Sequence, residues 1–351
     1  MKNIVFLIPN KDFGGAEKMT LWYYKLFQEF GHSVSLLILA DTGHGIDLEN
    51  YNPTILKSRS SMSSVFSLTQ SIKKLNPDII FVSRENALVT AILQKFLFGI
   101  KIIYRPPTLL RNELSRNLKY KLLRALLTYS YEYIDLFVAQ SLEIHTELKE
   151  RKIPVSKLIH ISNLNSRKVK TSRSTNGISQ VDTVTYLIVA NVSFVKGLDV
   201  LIDAFDNMID DYPNSELLIA GRVDSNYAID LKTIVNKNKR INEKVKFLGW
   251  QSDVDDLFEK ADVVVLSSRM EGFPNALVEA NEHNKPIVST RCCESVHELV
   301  VDRMNGILVE KNNSEDLMRG LIDVRSIDYQ ALQYRINDDT LPYLNVVINK
   351  L

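Results

Sequence analysis

Apolar positions along this chain alternate between short β-branched or aliphatic runs and longer stretches with helical spacing. Residues 4–8 (Ile-Val-Phe-Leu-Ile) form the first run, and residues 16–31 follow with apolar positions at Met19, Leu21, Trp22, Leu26 and Phe30. Gly31 ends that stretch, because glycine just past the last periodic residue readily takes the left-handed conformation that closes a helix. Residues 33–39 are the next run, so the pattern predicts a βαβ unit. It then predicts helices over 67–75 and 87–98 and strands over 79–82, 101–104, 135–139 and 158–161, with Ser141 as the N-cap of a further helix. A second series opens at 185–190. An amphipathic helix follows to Met208, then strands at 217–220, 245–248 and 261–266 and a helix at 276–282. Continuous apolar runs bounded by turn residues are what strands buried on both faces of a parallel sheet look like. Residues 167–182 have almost nothing to bury and read as a linker. The expected organisation is a first domain at 1–166, a linker at 167–183, a second domain at 184–325, and a tail at 326–351 that crosses back to the first.

Length agrees with that division, since 351 residues are too many for one compact α/β unit. Charge changes the picture more. The formal net charge is only +1, but residues 1–180 carry 25 Lys+Arg and 14 Asp+Glu, whereas residues 181–351 carry 18 and 28. The first half is therefore suited to an anionic surface or ligand and the second is not. Leucines 110, 114, 118, 122, 123 and 126 interleave with Arg111, Arg116, Lys119, Lys121 and Arg124 over 109–133. A basic amphipathic helix of this kind either lies on anionic lipid or packs its leucines on the sheet. Only two cysteines occur, the adjacent Cys292 and Cys293, with no metal-binding spacing, so neither a disulfide framework nor a zinc site is expected. The apolar core of residues 1–10 is too short for a signal peptide, and no run approaches the ~20 residues that cross a bilayer. A cytoplasmic protein, at most peripheral on the membrane, without a nucleic-acid partner, is the expectation.

The most informative stretch is Ser267 to Ala280. It begins at the end of a strand, breaks at Gly272 and Pro274, and enters a helix. Pro274 suits a first helical turn. The helix start then faces the carboxyl end of the sheet, where ligands of open α/β folds bind and where unpaired N–H groups attract phosphate and sugar oxygens. Glu271 lies in the loop and Glu279 in the helix, and each carboxylate can accept a pair of hydroxyl hydrogen bonds. The order Glu271-Gly272-Phe273-Pro274-Asn275-Ala276-Leu277-Val278-Glu279 resembles the Glu-x7-Glu motif of the family 4 ("group 1") glycosyltransferases. Gly14-Gly15-Ala16-Glu17 resembles that family's Gly-Gly-Ala-Glu loop, and Lys196-Gly197 matches the Lys-Gly of its diphosphate loop. The resemblance departs in two places. Asn191 stands where the family has an Arg five residues before the Lys, and Arg105-Pro106-Pro107 replaces a segment carrying a His that contacts the transferred sugar.

The resemblance implies the GT-B architecture, two Rossmann-like parallel-sheet α/β domains facing a cleft, and an anomer-retaining transfer from a nucleotide sugar, most commonly a UDP-sugar, without a metal or other cofactor. It implies Glu279 on the ribose, Glu271 on sugar hydroxyls, Lys196 on the diphosphate, and backbone groups of Gly14, Gly15 and Gly272 to Leu277 (Phe273, Pro274, Asn275 and Ala276 among them) close to the donor. Arg222 is a candidate replacement for the cation missing at Asn191, or a surface Arg. Trp250 is either a neighbour of the nucleobase or a core residue. Glu271, Lys196 and Arg105 are the candidate catalytic groups, and Arg84, Glu85, Asn86 and Arg105 the candidate acceptor contacts. Arg84 and Arg105 could equally be paired with neighbouring carboxylates. Asp253-Val254-Asp255 mimics a metal motif but reads as a helix cap. The implied acceptor is a glycan, free or lipid-linked. A GT-B sugar-nucleotide epimerase and a non-catalytic GT-B binding protein are the rival readings.

Overall fold

The alternation in the first strand explains the first sheet. The structure, a computed structural model, describes residues 1–11, 14–43, 48–56, 58, 60, 61, 63–108, 129–163, 183–251, 253–330 and 340–351. In β1 (Asn3–Ile8), Ile4, Phe6 and Ile8 join one apolar cluster, and Val5 and Leu7 join another. Side chains of a strand leave on alternate faces, so these are the two faces of one sheet, both covered. The sheet also contains β2 (Ser33–Ile38), β3 (Thr54–Ile55), β4 (Ile79–Val82), β5 (Lys101–Tyr104), β6 (Leu136–Ala139) and β7 (Leu158–His160). Their order is β3-β2-β1-β4-β5-β6-β7, and every pairing is parallel. Helices α1 (Gly15–Glu29), α2 (Val65–Leu75), α3 (Glu85–Phe98) and α4 (Leu142–Glu150) fill the crossovers. Ser141 caps α4 by accepting the Ile144 N–H.

The second sheet has the order β10-β9-β8-β11-β12-β13, again wholly parallel. Its strands are β8 (Val184–Val189), β9 (Ser215–Ala220), β10 (Val245–Gly249), β11 (Val263–Leu266), β12 (Ile287–Thr290) and β13 (Gly306–Val309). Its helices are α5 (Leu198–Met208), α6 (Asn226–Lys237), α7 (Asp255–Lys260), α8 (Asn275–Glu282), α9 (Ser295–Leu299) and α10 (Ser314–Asp323). In both sheets the chain winds out one way and then the other. The reversal falls between β1 and β4 in the first sheet and between β8 and β11 in the second.

The chain divides into two compact units, residues 1–167 with 336–351, and residues 168–335. The last helix, α11 (Thr340–Lys350), belongs to the first unit: Leu344 and Ile348, one turn apart, are fully buried in the cluster of Ile4, Phe6 and Phe81. Asn345 Oδ1 accepts from His32 Nε2 at 3.0 Å, and His32 Nδ1 accepts the Lys2 N–H at 3.1 Å, which fixes a neutral ring. Burial of His32 lowers its pKa despite the Asn345 hydrogen bond. The polar stretch read as a linker, 167–182, lies outside the described residues, as does most of the basic amphipathic helix, including Arg111, Arg116, Lys119, Lys121 and Arg124.

Candidate active site

The loops after β8 and β11 leave adjacent parallel strands at the reversal of strand order, which is where open α/β sheets receive ligands. Residues Phe194–Lys196 make a short 3-10 turn after β8, and Glu271 lies in the loop after β11. Lys196 Nζ reaches Glu271 Oε1 at 2.6 Å, and Ser268 Oγ donates to the same oxygen at 2.6 Å. The backbones also touch. Arg269 N–H donates to the Val195 carbonyl at 2.7 Å, and Ser267 Oγ to the Lys196 carbonyl at 2.8 Å. Gly197, at φ +64°, makes this approach possible, since a Cβ there would lie 2.2 Å from the Ser267 carbonyl oxygen.

Glu279 lies in α8, 8% exposed. The side chains of Phe273 and Leu277 are buried, at 6% and 0% exposure, so it is the backbone of this stretch, as expected, that would be left to meet a ligand. Two of the N–H groups expected to be available have partners: Asn275 donates to the Phe273 carbonyl at 3.1 Å and Leu277 to the Pro274 carbonyl at 3.0 Å. Gly272 and Pro274 are buried, and Asn275 and Ala276 half-buried. Asn191 is exposed, and its Oδ1 accepts the Arg222 N–H at 3.1 Å. That contact holds half-buried Arg222 beside the end of β8. Trp250, directly after β10, is half-buried. Asp253 Oδ1 accepts the Asp255 N–H in an Asx turn just before α7, whose N-cap position is Val254 and carries no side-chain cap, so Asp253 is not the helix cap it was expected to be. Cys292 and Cys293 are buried and not disulfide-bonded. The hydrogen bond to Cys293, burial and the nearby Glu271 carboxylate push the Cys292 thiol well above its usual range.

In the first unit the loops after β1 and β4 occupy the equivalent reversal. Gly14 precedes α1, and a Cβ on it would come 3.1 Å from Glu17 Oε2. Arg84 grips Glu17 with two hydrogen bonds, Nε–Oε1 at 2.7 Å and Nη2–Oε2 at 3.0 Å. Gly15 opens α1, Glu85 lies half-buried in the first turn of α3, and Asn86 is exposed, its Oδ1 accepting the Ala87 N–H. Arg105 differs from the expectation of a cleft-facing group. It is 1% exposed, and its Nη2 donates to Gln140 and, at 2.6 Å, to Asn163 Oδ1. Its guanidinium carbon lies 6.0 Å from the Tyr23 ring centroid, and among the described residues its Nε and Nη1 have no hydrogen-bond partner. Burial lowers the Arg105 pKa and raises that of the Tyr23 hydroxyl to about 12.

Two family patterns match the chain: Glycosyltransferase Family 4 over residues 13–164, and Glycosyl transferases group 1 over residues 173–337. The chain belongs to the family 4 glycosyltransferases. This glycosyltransferase is 27% identical over 332 residues to an uncharacterised glycosyltransferase of Haemophilus influenzae, covering 92% of this chain and 90% of that protein. It is 29% identical over 112 residues, 32% of this chain and 28% of the relative, to the UDP-Gal:alpha-D-GlcNAc-diphosphoundecaprenol alpha-1,3-galactosyltransferase of Escherichia coli. Among solved structures, Anabaena Alr3699/HepE in complex with UDP and glucose superposes with a TM-score of 0.76 at 21% identity, covering 100% of this chain and 99% of that one. TarM superposes with a TM-score of 0.74 at 10% identity, over 99% of each chain. These likenesses place the two α/β units of this glycosyltransferase in the GT-B class.

Sequence reading missed several groups of the glycosyltransferase that the structure brings to these edges. Ser268 and Arg269 stand inside the motif stretch, and Asp199 three residues after Lys196, but nothing in the local pattern announces that Arg269 and Asp199 hydrogen-bond across 70 residues. Glu17 stood within the Gly-Gly-Ala-Glu match as a signal passed over. Gln140 had none.

Proposed function

We propose that this glycosyltransferase retains anomeric configuration while moving a hexose or N-acetylhexosamine from a UDP-sugar to a glycan carried on a lipid, in the assembly of a cell-surface polysaccharide. The observation that carries this reading is the Lys196–Glu271 pair at the reversal of the second sheet, with Glu279 in the helix that follows. Lys196 neutralises the diphosphate, whose negative charge grows as the glycosidic bond breaks. A cation fixed where charge develops lowers the barrier most when water is excluded. Glu271 holds sugar hydroxyls and Glu279 the ribose, so catalysis is mainly positional and electrostatic. Arg222, held beside Asn191, supplies the second cation for the phosphates. No divalent metal takes part in this scheme, and turnover that vanishes in EDTA and returns with magnesium or manganese would remove that element.

UDP as the leaving group is supported by the solved structures of Anabaena Alr3699/HepE with UDP and with UDP-glucose. A lipid-linked acceptor is supported by the diphosphoundecaprenol named for the Escherichia coli relative and for a Campylobacter jejuni relative that is 36% identical over 73 residues, 21% of this chain and 19% of that one. No helix among the described residues is long and apolar enough to cross a membrane. Contact with the carrier then falls to peripheral docking by the basic first half, for which loss of anionic-vesicle binding in Arg116→Glu/Lys119→Glu/Lys121→Glu is the check. The deciding experiment incubates the protein with a panel of UDP-sugars, with and without lipid-linked glycan. Acceptor-dependent UDP release supports the reading. Conversion without acceptor would make the protein an epimerase, and binding without turnover a GT-B binding protein.

A further inference from the structure

Lys196 and Glu271 lie on different loops, and a flexible lysine beside a loop carboxylate is not by itself a defined binding geometry. The loop bearing Lys196 runs straight into Gly197, whose left-handed backbone is available to glycine at little cost. Something else must hold that turn. Around it, three elements converge on one network. Arg269, from the loop after β11, meets Asp199 in the first turn of α5 through two parallel hydrogen bonds, Nη1–Oδ1 at 2.9 Å and Nη2–Oδ2 at 2.7 Å. The same Nη1 donates to the Phe194 carbonyl at 2.6 Å, inside the turn that ends at Lys196. The guanidinium also stacks on the Phe194 ring, 4.0 Å from its centroid. Tyr227, from the start of α6, donates its hydroxyl to Asp199 Oδ1 at 2.7 Å and accepts the Asp199 N–H at 3.2 Å.

We propose that Arg269, Asp199 and Tyr227 are positioning residues that lock the Lys196 turn against the Glu271 loop, presetting the separation of the two groups before a nucleotide sugar binds. The inference rests on the donor reading above. None of the three residues needs to touch the donor. Their effect is to remove motions that binding would otherwise have to freeze, which is how a rigid site gains affinity without gaining contacts. The arrangement is unlike an ordinary surface ion pair. Only 13% of the Arg269 side chain is exposed, the carboxylate is gripped at both oxygens, and the guanidinium is shared with a backbone carbonyl and an aromatic face. Burial raises the Asp199 pKa, but the Arg269 and Tyr227 hydrogen bonds outweigh it and hold the carboxyl below its usual range. Burial, and then the bond to Asp199, push the Tyr227 hydroxyl to about 12, so the network keeps its protonation throughout neutral pH. A lysine at 269 keeps the charge but loses the planar fork, the stacking and the shared carbonyl contact.

The test uses UDP as the probe, with calorimetry for affinity and amide hydrogen exchange for the loops. Arg269→Met and Asp199→Asn are each expected to weaken UDP binding ~tenfold, with Arg269→Lys close behind, because displacement of a binding group by a fraction of an ångström suffices for losses of that order. The double variant should lose no more than either single one, since both remove the same restraint. Tyr227→Phe, the mildest change, should lose less. Arg240→Met removes another ion pair of the same unit, to Asp206 and Asp210, and should leave UDP affinity unchanged. Exchange at the amides of residues 193–197 should accelerate in Arg269→Met and not in Arg240→Met. Arg269→Met binding UDP within twofold of wild type, or additive losses in the double variant, would overturn the clamp. Wild type that binds no UDP would instead overturn the donor assignment. Exchange then decides alone: faster amides at 193–197 in Arg269→Met uphold the clamp and unchanged ones overturn it.

Discussion

Each unit sets an acid–base pair across the point where its strand order reverses, and the two pairs are built for opposite purposes. In the first unit Arg84 binds Glu17 through a two-point fork around a carboxylate only 3% exposed. In the second, Lys196 touches Glu271 through a single ammonium contact, with 27% of the lysine side chain exposed. A guanidinium fork is planar and directional, whereas an ammonium on four methylenes is a point charge that can swing to a better partner. The first pair is therefore a fixture, tucked under the Gly14 backbone. The second is exchangeable, so under the proposed function incoming phosphate oxygens would take Lys196 while Glu271 turns to hydroxyls. The deeper cations follow the same division. Arg105 is sealed inside the first unit between Gln140, Asn163 and Tyr23, while Arg269 holds the turn that carries Lys196.

Removing one cation from each unit tests that contrast most sharply. Lys196→Met should lower turnover 10²–10³-fold, about 3–4 kcal/mol of transition-state stabilisation, while shifting stability by ~1 kcal/mol or less. UDP-release kinetics beside thermal melting would check both halves, and a collapse in melting temperature with activity intact would break the comparison. Arg105→Ala should do the reverse, costing about 2–4 kcal/mol in urea unfolding because it leaves a cavity and the buried amide oxygens of Gln140 and Asn163 without their donor. An unchanged urea midpoint would show that this arginine is not part of the frame. A smaller effect sharpens the picture within the second unit. Glu279→Gln should weaken UDP affinity roughly tenfold or more, since a hydrogen bond from a hydroxyl to a carboxylate contributes ~1.5–3 kcal/mol. Equal affinity in calorimetry would move the ribose elsewhere.

The smallest effect lies in the first unit. The pKa of folded His32 lies below its ordinary 6.5, so between those two values the unfolded chain binds more protons than the folded one. Stability should be level above pH 6.5 and decline as pH falls below it. Melting temperatures of wild type and His32→Gln from pH 5 to 8 would show it, with a flatter acid limb in the variant.

Much of this was legible in the chain. Strands such as β4 and β11 are unbroken apolar runs buried on both faces, and that pattern has few other readings. The Glu271–Glu279 stretch was legible because strand, breaker and helix follow within one local segment. β12 escaped notice because Ile287–Thr290 is only four residues, half of them Ser and Thr. The helix α11 was hidden by Pro342 near its start and by short apolar spacing that acquires meaning only against Ile4 and Phe81. Arg105 was misread as facing a ligand because its position at a strand end says nothing of depth. What seals it, Gln140 and Asn163, arrives from 35 and 58 residues further along.

The placement of α11 bears on how the molecule is made. Leu344 and Ile348 complete an apolar layer whose other members begin at Ile4, so that layer stays open until the ribosome has added nearly 200 further residues beyond the first unit's last strand. At ~5–20 residues per second the wait is on the order of 10–40 s. During it the nascent first unit carries an uncovered hydrophobic seam that holdase chaperones can recognise, while the second unit, continuous in sequence, has all it requires to fold as it emerges. The order of synthesis and the order of completion are thereby inverted.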